Sequence, residues 1–390
     1  MSDARRIVIV GAGLAGFGLL QALREGGSTD HIVLIGEEAG LPYDRPPLSK
    51  DVLQSGEVTA AIDLCTADAL AALNAELVQA EVVAIDRPAK ALRLDDGTLL
   101  SYDRLVLATG GDARPLAGFE ADGERVFTLR NRDDALGLAR VLRQANSLLI
   151  VGAGWVGLEV ASVARGLGLK VTVADTAERV CARVLPPDVS AWLEARHRSA
   201  GVEFQLGSRG SVQRDGDVFS LEGGEPHDLL LSAIGILPRD GLALDAGLAC
   251  DGGIVTDACG RTSDDHIFAI GDVAKAWQPA LGQHVVRQSW KAALLDARLV
   301  AATLLDQPLP AREAPWFWSE QCDHMIQAAG WPMAGDELLS VDGTDKPLWK
   351  FGRDGQVHFA VGIDRNRDVR MAHRQLGQAW ASADLVGESK

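Results

Sequence analysis

Arg6-Ile7-Val8-Ile9-Val10 runs straight into Gly11-Ala12-Gly13-Leu14-Ala15-Gly16, and Leu148-Leu149-Ile150-Val151 runs into Gly152-Ala153-Gly154-Trp155-Val156-Gly157. A β-branched run, a glycine turn and an apolar segment of helical period give strand, turn and helix in that order. The first glycine permits the tight turn, the second lets a pyrophosphate approach the backbone, and the third lets helix meet strand. The helix N-terminus then offers unpaired N–H groups to phosphate. The first helix is expected to run through Leu23 and close at Gly26-Gly27, and the second to reach about Gly168. Each unit continues into a second strand, 31–35 and 170–174, followed by an acid, Glu37 and Asp175. These acids lie about 20 residues past the last glycine, where a carboxylate takes ribose hydroxyls. One glycine turn is weak support for such a site. Two complete units imply two dinucleotides, and a duplicated structural layer with one dead site is disfavoured because both keep the three glycines and the acid.

Three further runs read as buried strands ending in small residues, where a ligand can approach. They are Leu105-Val106-Leu107-Ala108-Thr109-Gly110, the stretch 229–235, and His266-Ile267-Phe268-Ala269-Ile270-Gly271-Asp272. Asp272 could accept from a ligand hydroxyl or cap a helix. The 390 residues suffice for two to four domains. With 54 acidic against 38 basic residues, a net charge of −16, nucleic acid and anionic membranes are disfavoured partners. No charged-then-apolar leader precedes Arg6 and no apolar run is long enough to span a bilayer, so a cytoplasmic chain is expected. Cys65, Cys181, Cys250, Cys259 and Cys322 are scattered and never in C-x-x-C spacing, which points to reduced thiols. The eight histidines show no H-E-x-x-H spacing, and no metal site is expected.

Together with Pro42-Tyr43-Asp44-Arg45-Pro46-Pro47-Leu48-Ser49-Lys50 and Pro315-Trp316-Phe317-Trp318-Ser319-Glu320, these motifs carry a resemblance over nearly the whole chain. The chain resembles the FAD-dependent, NADH-using ferredoxin reductases that serve aromatic-ring dioxygenases and bacterial cytochromes P450. The resemblance implies an α/β, glutathione-reductase-like fold, with two Rossmann-type dinucleotide-binding domains and a C-terminal α+β domain. FAD would occupy 1–110 with 236–308, NADH 111–235, and the last domain would be 309–390. By the same resemblance Gly11, Gly13, Ala15, Gly16 and Glu37 hold the adenosine half of FAD, and Val83 lies on the adenine side. Arg45 and Lys50 reach pyrophosphate and flavin, while Ala108, Thr109, Gly110, Arg130, Gly271 and Asp272 line the cofactor. Gly152, Gly154, Gly157 and Asp175 match the NADH positions. Glu159 matches a carboxylate near the nicotinamide that pairs with Lys50 beside the flavin; the cation would stabilise reduced-flavin charge while its partner limits the desolvation cost. Trp290, after the N-cap Ser289, starts a helix to Leu305 and would set its indole against the isoalloxazine, where electrons leave.

The implied catalytic set is Lys50, Glu159 and Trp290, and the implied partner is a [2Fe–2S] ferredoxin, Rieske-type or all-cysteine. An NADH oxidase or small-acceptor reductase is a second reading, and a redox-dependent binding protein like apoptosis-inducing factor is a third. Disulfide-reducing relatives carry two cysteines in the loop after the ribose acid, but 41–50 has none, which excludes dithiol chemistry there. Another departure is Lys291-Ala292-Ala293-Leu294-Leu295-Asp296, where the family commonly has Asn-Ala and then Gln. Trp316 and Trp318 alternate on one strand face and are expected in the core rather than in an electron path. Arg365, Arg367, Arg370 and Arg374 read either as a solvated helix face or as a dock for an acidic ferredoxin. Lys291 and Arg298, two turns apart on one helix face, would join that dock at the flavin edge.

Overall fold

A computed structural model describes residues 4–208, 210–279, 281–311 and 313–382, with side chains to 376. Both glycine units build parallel five-stranded sheets of the same plan. In the first, Arg6–Val10 lies between His31–Gly36 and Arg104–Leu107, with Glu76–Gln79 and Ile267–Ala269 at the edges. In the second, Ser147–Val151 lies between Lys170–Asp175 and Leu229–Ser232, flanked by Val202–Leu206 and Val126–Phe127. The central strands are apolar at nearly every position because both sheet faces are covered, one by helices and the other by antiparallel strands, 82–101 in the first unit and 212–221 in the second. Parallel sheets of this kind leave a crevice beyond the carboxyl ends of their strands, and both glycine turns open there.

The helices Leu14–Glu25 and Trp155–Gly166 follow the turns. They end within two residues of the sequence expectation. Leu19, Leu20 and Leu23 on the first are fully buried, each contributing roughly 1.5–3 kcal/mol. That helix packs on Trp290–Leu304, where a Cβ at Gly18 would come within 2.9 Å of Leu294 Cδ2. The late helix thus belongs to the first sheet's core, with Ala293, Ala297, Val300 and Ala301. Ser289 caps it as expected, its Oγ accepting from Ala292 N at 3.3 Å. The strand Ile267–Ala269 gives way to a 3-10 turn, Gly271–Val273, so Asp272 lies inside a turn and caps no helix.

The C-terminal unit is an antiparallel sheet in the order Trp316–Gln321, His324–Gly330, Gln356–Ile363, Leu348–Arg353, Glu337–Asp342. The helix Asn366–Ser382 covers one face, where Val369 and Leu376 meet Ala314, Ala329 and Leu348. The other face, through Ile326, Ala328, Phe351 and Val361, joins the core of the second glycine unit. Among the described residues no helix is long and apolar enough to cross a membrane, and no cluster of His, Cys, Asp or Glu could hold a metal ion.

Candidate functional site

A single cavity of about 1780 Å³ takes in both glycine turns, the loop 42–50 and the edge strand of the C-terminal sheet. Its walls include Gly11, Gly13, Ala15, Glu37, Arg45, Lys50, Val83, Ala108, Thr109, Gly110, Arg130, Asp272 and Trp290. Gly152, Gly154, Glu159 and Asp175 line the same space. The glycines divide by role. A Cβ on Gly11 would fall 2.1 Å from Ala108 O, and one on Gly152 2.3 Å from Ala233 O, so these two close the turn against the neighbouring strand. A Cβ on Gly16 would meet Gly11 O at 1.9 Å and one on Gly157 would meet Gly152 O at 2.1 Å. Gly16, Gly157 and Gly271 therefore stand behind the cavity wall; they do not line it, and their contribution is close packing of helix, turn and strand.

Gly13 and Gly154 differ from all of these. Both have ordinary negative φ, both precede a 12-residue helix without a side-chain cap, and a Cβ on either would meet no protein atom within 4 Å. Nothing inside the chain demands glycine there, so the open space fits a ligand that lies against the backbone. Unpaired helix N–H groups beside it suit a pyrophosphate at each turn. Two such cradles opening into one cavity fit two dinucleotides that meet. The buried Nε of Arg130, which has no partner among the described residues, adds a donor to the same wall.

Charged pairs frame the cavity. Lys50 Nζ lies 2.9 Å from Glu159 Oε2, with side chains 16% and 6% exposed. Lys50 comes from the loop after the first acid strand and Glu159 from the helix after the second glycine turn, so the pair bridges the two units. Ser49 Oγ also donates to Glu159, and Ser319 Oγ donates to its other oxygen at 2.5 Å. Arg130 pairs with Asp272 at 2.9 Å and Arg45 with Glu38 at 2.9 Å. Glu37 is held by Arg239, whose Nη2 donates to Oε2 at 3.0 Å. Asp175 accepts from Ala153 N at 2.7 Å and Ala177 N at 2.8 Å, which fixes its carboxylate at the mouth of the second turn. The departure at Asp296 buries a carboxylate between Arg287 and Gly271 N, and burial pushes its pKa up against the pull of Arg287. Cys181 is the cavity's one cysteine among the described residues, and burial pushes its thiol well above the ordinary range.

Trp290 Nε1 donates to Asp44 Oδ1 at 2.8 Å, which ties the start of its helix to the loop bearing Lys50. Burial raises the Asp44 pKa, and this indole bond opposes the rise. The core expectation holds in part for Trp316, which packs against the core under the last helix, and fails for Trp318. They are half-buried, stack with centroids 5.2 Å apart, and Trp318 sets its edge against Trp290 at 5.4 Å, all lining the cavity. Trp316, paired in register with Ala329, also packs beside Ala314 against the core under the last helix.

The basic dock is also revised. Lys291 and Arg298 do share a helix face, but both turn to Glu313, at 2.8 and 4.0 Å, and Arg298 does not line the cavity. Arg365 is tied to Asp342 and Asp368. Arg367, Arg370 and Arg374 border a separate shallow depression on the last helix, which covers the opposite face of its sheet from the second glycine unit. Net charge and helical spacing carry no information about which side of a domain a helix occupies.

Residues 5–297 match the family of pyridine nucleotide-disulphide oxidoreductases, and 316–385 match the reductase C-terminal family. The chain is 39% identical over 385 residues, 96% of its length and 94% of the relative's, to the ferredoxin–NAD(+) reductase component of the anthranilate 1,2-dioxygenase system of Burkholderia cepacia. Among solved structures it resembles the reductase of the covalent putidaredoxin reductase–putidaredoxin complex, with a TM-score of 0.91 and 34% identity over 96% of this chain and 94% of the other. It also resembles the ferredoxin reductase of the CYP199A2 system from Rhodopseudomonas palustris, with a TM-score of 0.92 and 33% identity over 96% and 95%. With its two glycine turns opening into one cavity and its loop free of a cysteine pair, the chain belongs to the pyridine nucleotide-disulphide oxidoreductase family as a flavoprotein oxidoreductase that uses FAD and NAD(H).

Proposed function

We propose that this chain transfers electrons from NADH through FAD to a [2Fe–2S] ferredoxin that supplies an aromatic-ring dioxygenase or a cytochrome P450. The carrying observation is the Lys50–Glu159 pair, which joins the two glycine units inside one cavity. Bound FAD would accept a hydride and release electrons singly, so that NADH and two oxidised ferredoxins become NAD+, a proton and two reduced ferredoxins. The chain's own residues bind, orient and screen. Gly11, Gly13, Glu37, Arg45, Arg130 and Asp272 would hold FAD, with Val83 on the adenine side; Gly152, Gly154 and Asp175 would hold NADH. The FAD domain at 1–110 and 236–308 is supported by the strand Ile267–Ala269 and the helix Trp290–Leu304 joining the first sheet's core. The strands Val126–Phe127 to Leu229–Ser232 support 111–235 as the NADH domain, and the antiparallel sheet supports 309–390 as the third. Exit of electrons beside Trp290 is supported by the indole cluster on the cavity wall. We place the reaction in the cytoplasm, where five unpaired cysteines suit a reducing compartment.

Asp175 sets the nucleotide choice. Its carboxylate, fixed by two backbone donors, can accept from ribose hydroxyls and repels a 2′-phosphate. Stopped-flow reduction of the flavin is expected to favour NADH over NADPH by at least about tenfold, and Asp175→Ala to narrow that ratio. Equal rates in the wild type would remove Asp175 from this role. Titration with NADH is expected to consume two electrons per FAD, because Cys181 has no cysteine partner. Uptake of four electrons would contradict a site without a dithiol.

A further inference from the structure

The strand Trp316–Gln321 lies across the helix Trp155–Gly166, and its alternate residues meet that helix in sequence. Phe317 packs on Trp155 with centroids 4.8 Å apart, Ser319 donates to Glu159, and Cys322 N just beyond donates to Ser162 Oγ at 2.9 Å. Two polar side chains on this covered face, Ser319 and Gln321, are 1% and 3% exposed. Polar groups do not enter such a contact without partners, and theirs form a single line. His197 Nε2 meets Gln321 Oε1 at 2.9 Å, Gln321 Nε2 donates to Ser319 Oγ at 2.9 Å, and Ser319 Oγ reaches Glu159 Oε1.

Chemistry fixes the direction of every proton in this line. A carboxylate oxygen can only accept, so Ser319 donates its hydroxyl proton to Glu159 and accepts from the Gln321 amide. The amide oxygen of Gln321 can only accept, so His197 carries its proton on Nε2. Its Nδ1 is then a bare lone pair, and that atom is buried with no partner among the described residues. Burial lowers the His197 pKa, which keeps the ring in this neutral form. Aligned bonds polarise one another and end on the one carboxylate that holds Lys50. The line starts on the helix Pro187–Ser199, runs along the edge strand of the C-terminal sheet and finishes at the pair that joins the two glycine units.

We propose that Ser319, with Gln321 and His197 behind it, is a positioning residue that aims Glu159 at Lys50 and so sets how much of the Lys50 charge the bound flavin feels. The proposal rests on the reading that Lys50 faces the flavin. It also gives the C-terminal domain a part in the hydride step, because that domain supplies the donor on the side of Glu159 away from Ser49. Without Ser319 the carboxylate loses one of its three donors and turns from Lys50. The ammonium is then less compensated and the reduced, more negative flavin is favoured.

The test is the midpoint potential of the bound flavin, with thermal midpoints taken alongside. Ser319→Ala is expected to raise the potential by the equivalent of about a tenfold change in the redox equilibrium, about 30 mV for a two-electron couple. Ser319→Thr, which keeps the hydroxyl, is expected to return it to the wild-type value. Gln321→Leu and His197→Phe are expected to shift it the same way by less, in that order. In a Glu159→Gln background Ser319→Ala is expected to add nothing, since its effect passes through that carboxylate. An unchanged potential in flavin-loaded Ser319→Ala, or an equal shift persisting beside Glu159→Gln, would overturn the proposal. If wild-type protein itself takes up no flavin, or NADH does not reduce it, the functional reading fails instead.

Discussion

Gly13→Ala is expected to leave the chain folded and to strip it of flavin. A Cβ at that position meets no protein atom within 4 Å, and its φ of −76° is open to any residue. The folded apoprotein should lose no more than the small difference between glycine and alanine as helix N-caps, about 1 kcal/mol or less. The methyl would stand in the space where a pyrophosphate lies against the backbone, and a hundredfold loss in FAD affinity corresponds to about 2.8 kcal/mol. Gly16→Ala inverts the pattern: its Cβ would fall 1.9 Å from Gly11 O, so the turn cannot keep its shape and the protein is expected to unfold or express poorly. Calorimetry of the apoproteins with flavin titration separates the two outcomes. Equal flavin affinity in wild type and Gly13→Ala would mean the first turn is not a pyrophosphate cradle.

The second large effect is at Lys50. Removing one member of a buried ion pair leaves an uncompensated charge, which typically costs about 3–5 kcal/mol. Lys50→Met strands Glu159, 6% exposed, with only the Ser49 and Ser319 hydroxyls. Urea unfolding should show that loss, and Lys50→Met combined with Glu159→Gln should recover most of it. Hydride transfer should not recover. Both the single and the double variant are expected to reduce flavin about a hundredfold more slowly, the usual scale for losing one electrostatic group at a reacting centre. Recovery of rate together with stability would make the pair purely structural.

Local chemistry explains what could be read from the chain. The glycine turns, the helices after them, the acid strands and the Ser289 cap depend on neighbours a few residues apart, so the pattern alone located them. The Lys50–Glu159 pair was reached only through family resemblance, because no local pattern links residues separated by a whole sheet. Ser319, Gln321 and His197 were missed. The one signal was a pair of polar residues on the same face of a strand otherwise rich in aromatics, and its meaning depends on a helix from another domain. Alternation placed Trp316 and Trp318 on one face correctly but could not say that the cavity reaches that face beside the core. For the arginines of the last helix the spacing shows a face but not what lies beside it; Arg367, Arg370 and Arg374 border a depression separate from the cavity.

The central claim is a route from NADH to a protein-borne iron–sulfur cluster, and one anaerobic stopped-flow measurement tests it most directly. The FAD-loaded chain is reduced with one equivalent of NADH and mixed with a purified [2Fe–2S] ferredoxin from an oxygenase system, while flavin and cluster absorbance are followed together. The expected result is flavin reoxidation in step with reduction of two ferredoxins per NADH. If no ferredoxin of either cluster type is reduced, and the flavin is reoxidised only when oxygen is admitted, the chain is an oxidase and the account is contradicted.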